Sequence, residues 1–372
     1  MRGGYMTKKL CFIVIMGILL MGITACDKED ETIRIGFSVG LIGQLADEGV
    51  SARNGFILAT EHVNASGGIM GRQIETLILD DESNVDKGFD VADTFKKEGV
   101  NFVIGHLLSS LYPAIDYGMT EHDLVYVSPT MATGYMTDKD DNFFRVIGDT
   151  NLMAEGIGKM VLDQDISKLM IIYDHGNLGF SGRVKDVLVD TLDGMDISIL
   201  AYEEGDDFET FANEMLAKEV EGVAMITSSV TTANILQQMK LKDIDIAKFT
   251  STWALSSELI YKGGRATEGL YGVGFYDKDS QSPGFLEFTK SFKARFSEEP
   301  SHTSYFAYEA TMLLVDAFER AGSFEKDDVL RALKSTGTYQ GLSDMYMINS
   351  FGDAERPYVE LQVIDGKMKR VE

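Results

Sequence analysis

The sequence predicts an α/β protein made of two doubly wound parallel-sheet lobes that are joined by a multi-crossing hinge. Three observations support this fold class. Strand-like and helix-like segments alternate along most of the chain, and several strand candidates are continuous apolar runs. Such runs are typical of parallel strands that helices cover on both faces. The chain of 372 residues is also too long for one doubly wound sheet.

The strand candidates are short apolar segments, and most of them begin roughly 22 to 28 residues apart, as in strand–helix–strand units. They are residues 33–39, 74–79, 101–104, 124–127, 169–173, 197–202, 223–226 and 249–252. The segments between them show helical periodicity. In one of these, Phe208, Phe211 and Met215 fall on one face, which indicates packing against a core.

The strand series restarts near Lys168 after a predicted helix at 152–161, so we interpret 143–148 as a crossing between two lobes. Further helices are predicted at 283–296, 305–321 and 326–335, and strands at 358–364 and 368–371. The resulting division assigns 33–148 plus 276–345 to lobe 1. It assigns 149–275 plus 346–372 to lobe 2.

The N-terminus has the pattern of a secretory signal. Arg2, Lys8 and Lys9 precede an apolar run at 10–21, which is followed by Ile-Thr-Ala-Cys at 23–26 and by an acidic stretch. We expect a signal peptide at 1–25, lipid on Cys26 and a tether at 26–32. This places the protein outside the cytoplasm and lipid-anchored to the cell membrane, in the periplasm or on the outer face. The alternative is an uncleaved membrane anchor, for which the run is short.

Composition excludes several classes of function. The two cysteines are Cys11, in the predicted signal peptide, and Cys26, so the mature body has no thiol for a disulfide, a metal or catalysis. The net charge of −25 argues against nucleic acid as a partner. We expect a monomer.

Small polar residues follow three strand candidates of the first lobe, at 40–49, 105–110 and 128–133. Ligands of parallel α/β sheets lie beyond these carboxyl ends. We expect Ser109 or Ser110 to be the N-cap of the next helix, with Pro113 in its first turn. The free first-turn N–H groups, beside a serine hydroxyl, can then hold a carboxylate or a phosphate. The alternative is that Ser109 only caps the helix.

Five segments together resemble a known family. They are "IRIGFSVGLIGQLADEGVSARNGFILATEHVNASGGIMGRQIETLILDDESN" (33–84), "NFVIGHLLSS" (101–110), "LVYVSPTMAT" (124–133), "DNFFRVIG" (141–148) and "GGRATEGLYGVGF" (263–275). Their order and spacing resemble the type I periplasmic solute-binding proteins of ABC importers, in the branch around the leucine/isoleucine/valine-binding protein. The resemblance covers nearly all of the mature chain and implies the type I periplasmic binding protein fold.

The resemblance also implies site residues in the first lobe. The family holds a ligand carboxylate with a serine after the "IGH" strand, which matches Ser109, beside Leu108 and Ser110. It uses the backbone after "SP", matching Thr130, and a threonine shortly beyond, for which we select Thr133.

The second lobe departs from the family pattern. The position of the family's acid for the ligand ammonium is Trp253, and Phe180 is the aromatic nearest to a family tyrosine. Two further family tyrosines fall near Ser228 and Glu48. Glu48 either replaces the missing acid or is an exposed loop glutamate. Trp253 either covers an apolar or aromatic ligand or fills the lobe interface.

Motifs for catalysis are mostly absent from the sequence. There is no HExxH motif, the sequence at 179–182 has the wrong spacing for a nucleophile elbow, and the five histidines are scattered. We expect no cofactor and no metal. The favoured function is a lipid-anchored binding protein, not an enzyme, that captures a small carboxylate such as an amino acid or an aromatic acid for an ABC permease. The alternatives are a ligand sensor of the same fold coupled to a signalling partner and, more weakly, a secreted hydrolase.

Overall fold

The structure is a computed structural model that describes residues 32–43, 45–335 and 337–371. The predicted signal peptide and the predicted lipidation site Cys26 lie outside the described residues. Fifteen strands and eleven helices are numbered below in chain order, over this described part of the chain.

The strands form three sheets. They are β1 (Thr32–Val39), β2 (Gln73–Asp80), β3 (Phe102–Ile104), β4 (Val125–Ser128), β5 (Phe143–Arg145), β6 (Lys168–Asp174), β7 (Asp196–Tyr202), β8 (Gly222–Ile226), β9 (Ala247–Ser251), β10 (Tyr271–Gly274), β11 (Gly337–Gln340), β12 (Met345–Ile348), β13 (Ala354–Glu355), β14 (Val359–Ile364) and β15 (Lys367–Arg370).

The helices occupy segments between the strands, and the last three follow one another after β10. They are α1 (Ala46–Ala65), α2 (Val85–Lys97), α3 (Tyr112–His122), α4 (Thr150–Leu162), α5 (Ser181–Thr191), α6 (Phe208–Lys218), α7 (Ser229–Leu241), α8 (Ser257–Gly263), α9 (Pro283–Phe296), α10 (His302–Ala321) and α11 (Lys326–Lys334).

The first lobe is the five-stranded sheet of order β2-β1-β3-β4-β5 with the helices packed on it. All of its strand pairs are parallel, and β3 and β4 are fully buried apolar runs apart from Ser128. The face that carries α1 and α10 is closely packed. A Cβ on Gly55 would lie 2.1 Å from the backbone oxygen of Ser304, so these two helices touch through a glycine.

The second lobe is the seven-stranded sheet of order β15-β14-β10-β9-β8-β6-β7 with helices α4 to α8. Strands β6 to β10 pair in parallel, whereas β14 and β15 add antiparallel strands at one edge. The chain therefore returns to this sheet after it has built α9, α10 and α11. This confirms two parallel α/β lobes joined by more than one crossing.

A small third sheet, β11-β12-β13, is fixed to α10 by a buried arginine. Arg356 is 2 % exposed and pairs with Glu309 at 2.6 Å and with Asp344 at 3.1 Å. Its guanidinium also stacks on the ring of Tyr346, 4.2 Å from the centroid. Breaking such a buried pair by removing one partner is costly, because it leaves an uncompensated charge in the interior.

The structure corrects one element boundary of the sequence prediction. Residues 143–148 do not form a crossing throughout, because Phe143–Arg145 pairs with β4 as β5 and the crossing follows it. The strands β10 to β13 were not predicted, since they are short and interrupted by glycine or polar residues. The predicted boundary at 345/346 falls at the start of β12, and the division of the chain into 33–148 plus 276–345 and 149–275 plus 346–372 stays a prediction.

Candidate ligand-binding site

The carboxyl ends of the two sheets meet across a cleft, and the lobes close on a small cavity within it. The cavity has a volume of about 30 Å³ and is lined by residues of both lobes. We call it the head cavity, and its lining residues are Glu48, Leu107, Leu108, Ser109, Thr130, Ile147, Asn177, Phe180, Thr252, Trp253, His302 and Thr303. A space of this size is comparable with the volume of one or two water molecules.

Ser109 lies at the wall of the head cavity but is not an N-cap, which corrects the sequence prediction. The residue with extended backbone is Leu108, and Ser109–Leu111 forms a 3₁₀ turn that leads into α3. Pro113 lies in the first turn of α3, as predicted. Within the turn, the N–H of Leu111 donates to the backbone oxygen of Leu108 at 3.0 Å, whereas the N–H of Ser110 points across the cleft. The Ser110 amide is therefore the remaining basis for holding an anion.

The first turn of this segment already donates to an oxygen from the opposite lobe. The backbone N–H of Ser110 donates to Oδ1 of Asn177, at 3.0 Å. Gly179 follows in the same loop, and a Cβ there would lie 2.4 Å from the backbone oxygen of Ser109. The second lobe thus presses directly on the 109–110 turn, with a glycine where any side chain would collide.

Buried hydrogen bonds fix the first-lobe loops around the turn. Oγ1 of Thr130 donates to the backbone oxygen of Leu107 at 2.9 Å, and Oγ of Ser128 donates to that of His106 at 2.8 Å. Below them, Nδ1 of His106 lies 2.6 Å from Oδ2 of Asp81, and both residues are fully buried. Buried polar groups that are paired in this way hold the loop in one conformation.

Three of the predicted ligand residues do not line the head cavity. Thr133 is fully buried, accepts the N–H of Tyr135 and caps the next turn. Ser228 is the N-cap of α7 and accepts the N–H of Thr231. Ser110 contributes its backbone N–H to the lobe contact instead of a side chain to the wall. Leu108, Ser109, Thr130, Glu48, Phe180 and Trp253 are brought together as predicted, and their roles in binding stay predictions.

Glu48 lies in the first turn of α1 and is partly buried, so it is not an exposed loop residue. The pKa of its carboxyl is raised to about 8, mainly by burial and next by the negative charge of Glu258. The indole of Trp253 lowers this pKa and Asp47 raises it. Glu48 is therefore mostly protonated at neutral pH, and a nearby positive charge would lower its pKa.

The second-lobe wall of the head cavity is aromatic. Phe180 and Trp253 pack edge to face with their ring centroids 5.7 Å apart, and both are nearly buried. Nε1 of Trp253 is buried and has no hydrogen-bond partner among the described residues. Trp253 therefore both fills the lobe interface and forms the wall of the cavity, and its indole N–H acts on the Glu48 carboxyl.

The start of α10 supplies two wall residues that the sequence did not suggest. Oγ1 of Thr303 donates to the backbone oxygen of Glu48 at 3.0 Å and so ties α10 to the first turn of α1. His302 is 4 % exposed, and burial lowers its pKa to about 4, so the ring is neutral. Its Nδ1 has no hydrogen-bond partner within the described part of the chain.

Sequence reasoning missed six wall residues, of which two carried a usable signal. They are Leu107, Ile147, Asn177, Thr252, His302 and Thr303. Asn177 and Thr252 follow strands β6 and β9, so the strand-end rule that found the first-lobe residues would have found them in the second lobe. His302 and Thr303 follow a helix and carry no such signal.

The described residues contain no group of three or more histidine, cysteine, aspartate or glutamate side chains that could hold a metal ion. In the same described part of the chain, no helix combines the length and apolar character needed to span a membrane.

The chain, whose lobes enclose the head cavity between facing sheet ends, matches a family model described as "Periplasmic binding protein" over residues 32–367. The chain belongs to the periplasmic binding protein family. It is a solute-binding family whose members act outside the cytoplasm, and its members are not enzymes. The resemblance to type I solute-binding proteins is thereby confirmed.

Curated relatives of this chain include amino-acid-binding proteins. It is 24 % identical over 325 residues to the leucine-, isoleucine-, valine-, threonine- and alanine-binding protein of Pseudomonas aeruginosa, covering 85 % of this chain and 86 % of that protein. It is 26 % identical over 358 residues to Leu/Ile/Val-binding protein homolog 2 of Brucella abortus, covering 94 % of this chain and 93 % of that one.

Solved structures show the same fold. The LivJ substrate-binding protein of Streptococcus pneumoniae, in complex with isoleucine, has a TM-score of 0.84 and 20 % identity, covering 91 % of this chain and 99 % of its own. The leucine-binding protein LivK of Thermotoga maritima has a TM-score of 0.83 and 21 % identity, covering 92 % and 98 %. A Rhodopseudomonas palustris solute-binding protein in complex with benzoate has a TM-score of 0.82 and 16 % identity, covering 91 % and 95 %.

Proposed function

We propose that this protein is a lipid-anchored extracytoplasmic binding protein that captures a small carboxylate ligand between its lobes and delivers it to an ABC permease. The ligand class is an amino acid or a related aromatic acid. The observation that carries the proposal is the head cavity. It combines Ser109 and Thr130 on the first-lobe side with Phe180 and Trp253 on the other, and the Ser110 amide lies in the adjoining turn.

Carboxylate capture in this site uses the turn at 109–111. The Ser110 N–H donates to a side-chain oxygen of Asn177, which shows that an acceptor oxygen fits there. A ligand carboxylate would replace that oxygen and would accept from Oγ of Ser109 as well. Hydrogen bonds to an ionised acceptor are about twice as strong as neutral ones, and closure of the lobes removes competing water.

Loss of the Ser109 hydroxyl tests this capture. We expect Ser109→Ala to weaken carboxylate binding by about 1–3 kcal/mol, because one hydrogen bond to a charged group is lost. Isothermal titration calorimetry of the mature protein, after a thermal-shift screen of amino acids, aromatic acids and short amides has found the ligand, measures the change. Ser228→Ala is the control, since Ser228 caps α7 away from the cavity. Unchanged affinity in Ser109→Ala would exclude Ser109 as a ligand residue.

Glu48 separates the two ligand classes. If the ligand carries an ammonium group, binding makes Glu48 ionise, because the cation offsets the burial that raises its pKa to about 8. Binding at pH 7 then releases up to one proton. An aromatic acid without an ammonium group leaves Glu48 protonated and releases none. Calorimetric titrations in buffers of different ionisation enthalpy count the protons directly.

Anchoring and delivery are tested separately. We expect Cys26→Ala to release the protein from the membrane fraction, because the cysteine is the proposed attachment point for lipid. We also expect the liganded protein to stimulate the ATPase activity of a permease encoded beside it. Stimulation of a signalling partner, with no effect on any permease, would favour the sensor alternative.

A further inference from the structure

Beside the head cavity lies a second, much larger space between the lobes. This side chamber has a volume of about 640 Å³. The second lobe lines it with the segment after β9, with α8 and with β14 and β15, and the first lobe with α9 and the start of α10. Sites for small molecules in proteins typically have volumes of about 300–1,000 Å³, so the side chamber is large enough for a ligand group.

The side chamber adjoins the head cavity through two shared side chains. Thr252, from the loop after β9, and His302, from the first turn of α10, line both spaces. They lie on opposite lobes, so the partition between the two spaces is made where the lobes meet. A group held in the head cavity that extends past these two residues enters the side chamber.

The wall of the side chamber is mainly suited to an apolar group. Leu255, Ile260, Phe285 and Leu361 contribute apolar surface. Four charged side chains at its edge pair with each other, as Lys293 does with Glu299 at 2.8 Å, whereas Lys367 has no ion pair among the described residues. Lys278 likewise pairs with Asp279 at 3.1 Å. A charged tail therefore gains little from these groups.

Two residues of the wall, Thr289 and His302, each carry a buried polar atom without a partner among the described residues. These atoms are Oγ1 of Thr289 and Nδ1 of His302. Buried polar atoms are nearly always paired, so a partner for these two, such as a water molecule or a ligand group, is expected. The neutral His302 ring offers a hydrogen bond and no charge.

We propose that the ligand is an elongated monocarboxylate whose acid group lies at the 109–110 turn and whose apolar tail passes Thr252 and His302 into the side chamber. This inference rests on the proposed function and narrows its substrate class. It follows from the contrast between a head cavity of about 30 Å³ and a side chamber of about 640 Å³. A short ligand would leave the larger of the two apolar spaces unused.

A homologous series of acids tests this inference. The probes are benzoate, phenylacetate, 3-phenylpropionate, 4-phenylbutyrate and 6-phenylhexanoate, titrated calorimetrically into the mature protein. We expect the affinity to rise by about threefold to fourfold for each methylene that enters the chamber, because each is removed from water. Affinity that stays constant or falls along the series would overturn the inference.

A variant that fills the chamber locates the tail. Ile260→Trp, on α8, is expected to abolish the gain with tail length and to leave benzoate affinity unchanged. Leu241→Trp is the matched control, because Leu241 is exposed on α7 of the same lobe and does not line the chamber. Equal loss of long-acid affinity in both variants would contradict the assigned path. Both variants are compared with the unsubstituted protein by thermal unfolding.

Carboxylate capture at the turn and tail binding in the side chamber can be disproved separately. If short acids bind with an affinity that depends on Ser109 and long acids do not bind, the side chamber is wrong and carboxylate capture stands. If neither these acids nor amino acids bind, carboxylate capture itself is wrong and the inference falls with it.

Discussion

The two sides of the cleft differ in chemistry and in how firmly their side chains are held. The first-lobe side presents hydroxyls and a backbone amide on loops that buried hydrogen bonds fix, such as Thr130 to Leu107 at 2.9 Å. The second-lobe side presents two aromatic rings, and the indole N–H of Trp253 is left unpaired among the described residues. We infer from this contrast, as part of the proposed function, that the first lobe recognises the ligand and the second lobe covers it.

This difference suits a hinged protein in which the ligand binds first to one lobe and the other lobe then closes over it. A pre-formed polar site binds an anion in the open state without reorganising, since its donors are already oriented. The covering lobe then contributes apolar surface, which is most useful after closure because it excludes water. This order of binding follows from the proposed function. Three variants test the contrast between the polar first-lobe side and the aromatic second-lobe side.

The largest effect is expected from Gly179→Ala. The added Cβ would lie 2.4 Å from the backbone oxygen of Ser109, and backbone cannot yield cheaply, so the lobes cannot close as they do here. We expect affinity to fall by about 1–3 kcal/mol, the usual cost of overpacking, while the melting temperature of each lobe is kept. Calorimetry and small-angle scattering measure affinity and closure.

Gly182→Ala is the matched control for this variant. Gly182 lies within α5, and its added Cβ would lie 3.4 Å from the flexible side chain of Leu178. Alanine is also the better helix former. If both variants closed and bound equally well, direct contact between the 109–110 turn and the second lobe would not be needed for binding.

A smaller effect, visible through pH, is expected from Glu48→Gln. In the folded protein the pKa of Glu48 is about 8, compared with 4.5 for an unperturbed carboxyl. Between these pH values the folded state keeps a proton that the unfolded state has lost, so this group lowers stability as pH rises. The slope is at most about 1.4 kcal/mol per pH unit.

We therefore expect Glu48→Gln to match the parent protein near pH 4, below the unfolded pKa, and to be more stable near pH 8, as measured by thermal unfolding without ligand. Glu287→Gln is the control, because Glu287 is exposed on α9. An identical pH profile for the parent and Glu48→Gln would show that Glu48 is solvated, and the first lobe would then present an ordinary charge to the cleft.

The smallest effect, with the opposite sign, is expected from Asn177→Ala. Its Oδ1 accepts the Ser110 N–H at 3.0 Å, where the ligand carboxylate is proposed to bind. Removing this competitor should raise affinity by about 0.5–1.5 kcal/mol, the net worth of one hydrogen bond. Asn177→Asp should lower affinity through charge repulsion. Loss of affinity in Asn177→Ala would show that the second lobe also contacts the ligand through a polar group.

Much of the fold was predictable because the hydrophobic pattern is local. All eight strand candidates between 33 and 252 form strands, and the helix at 283–296 has the predicted bounds. The short strands β11 to β13 were not predictable, because their position depends on Arg356 pairing with Glu309 of a distant helix. Periodicity does not record such long-range contacts.

The candidate site was predictable in part. The strand-end rule placed Ser109 and Thr130 in the cleft, whereas the same rule placed Thr133 there, and the family resemblance placed Ser228 there, although both serve as caps. A small polar residue after a strand has the same local pattern whether its side chain faces the ligand or its own backbone. The distinction depends on the direction of the loop, which tertiary packing sets.

The sequence alone determined the two-lobe parallel architecture and the polar character of the first-lobe strand ends, because both arise from residues close together in the chain. Only the tertiary structure decided that Asn177 meets the 109–110 turn, that Glu48 is buried against Trp253 and that His302 lies between two cavities. These contacts join residues far apart in sequence, and they form only where the two lobes close on each other.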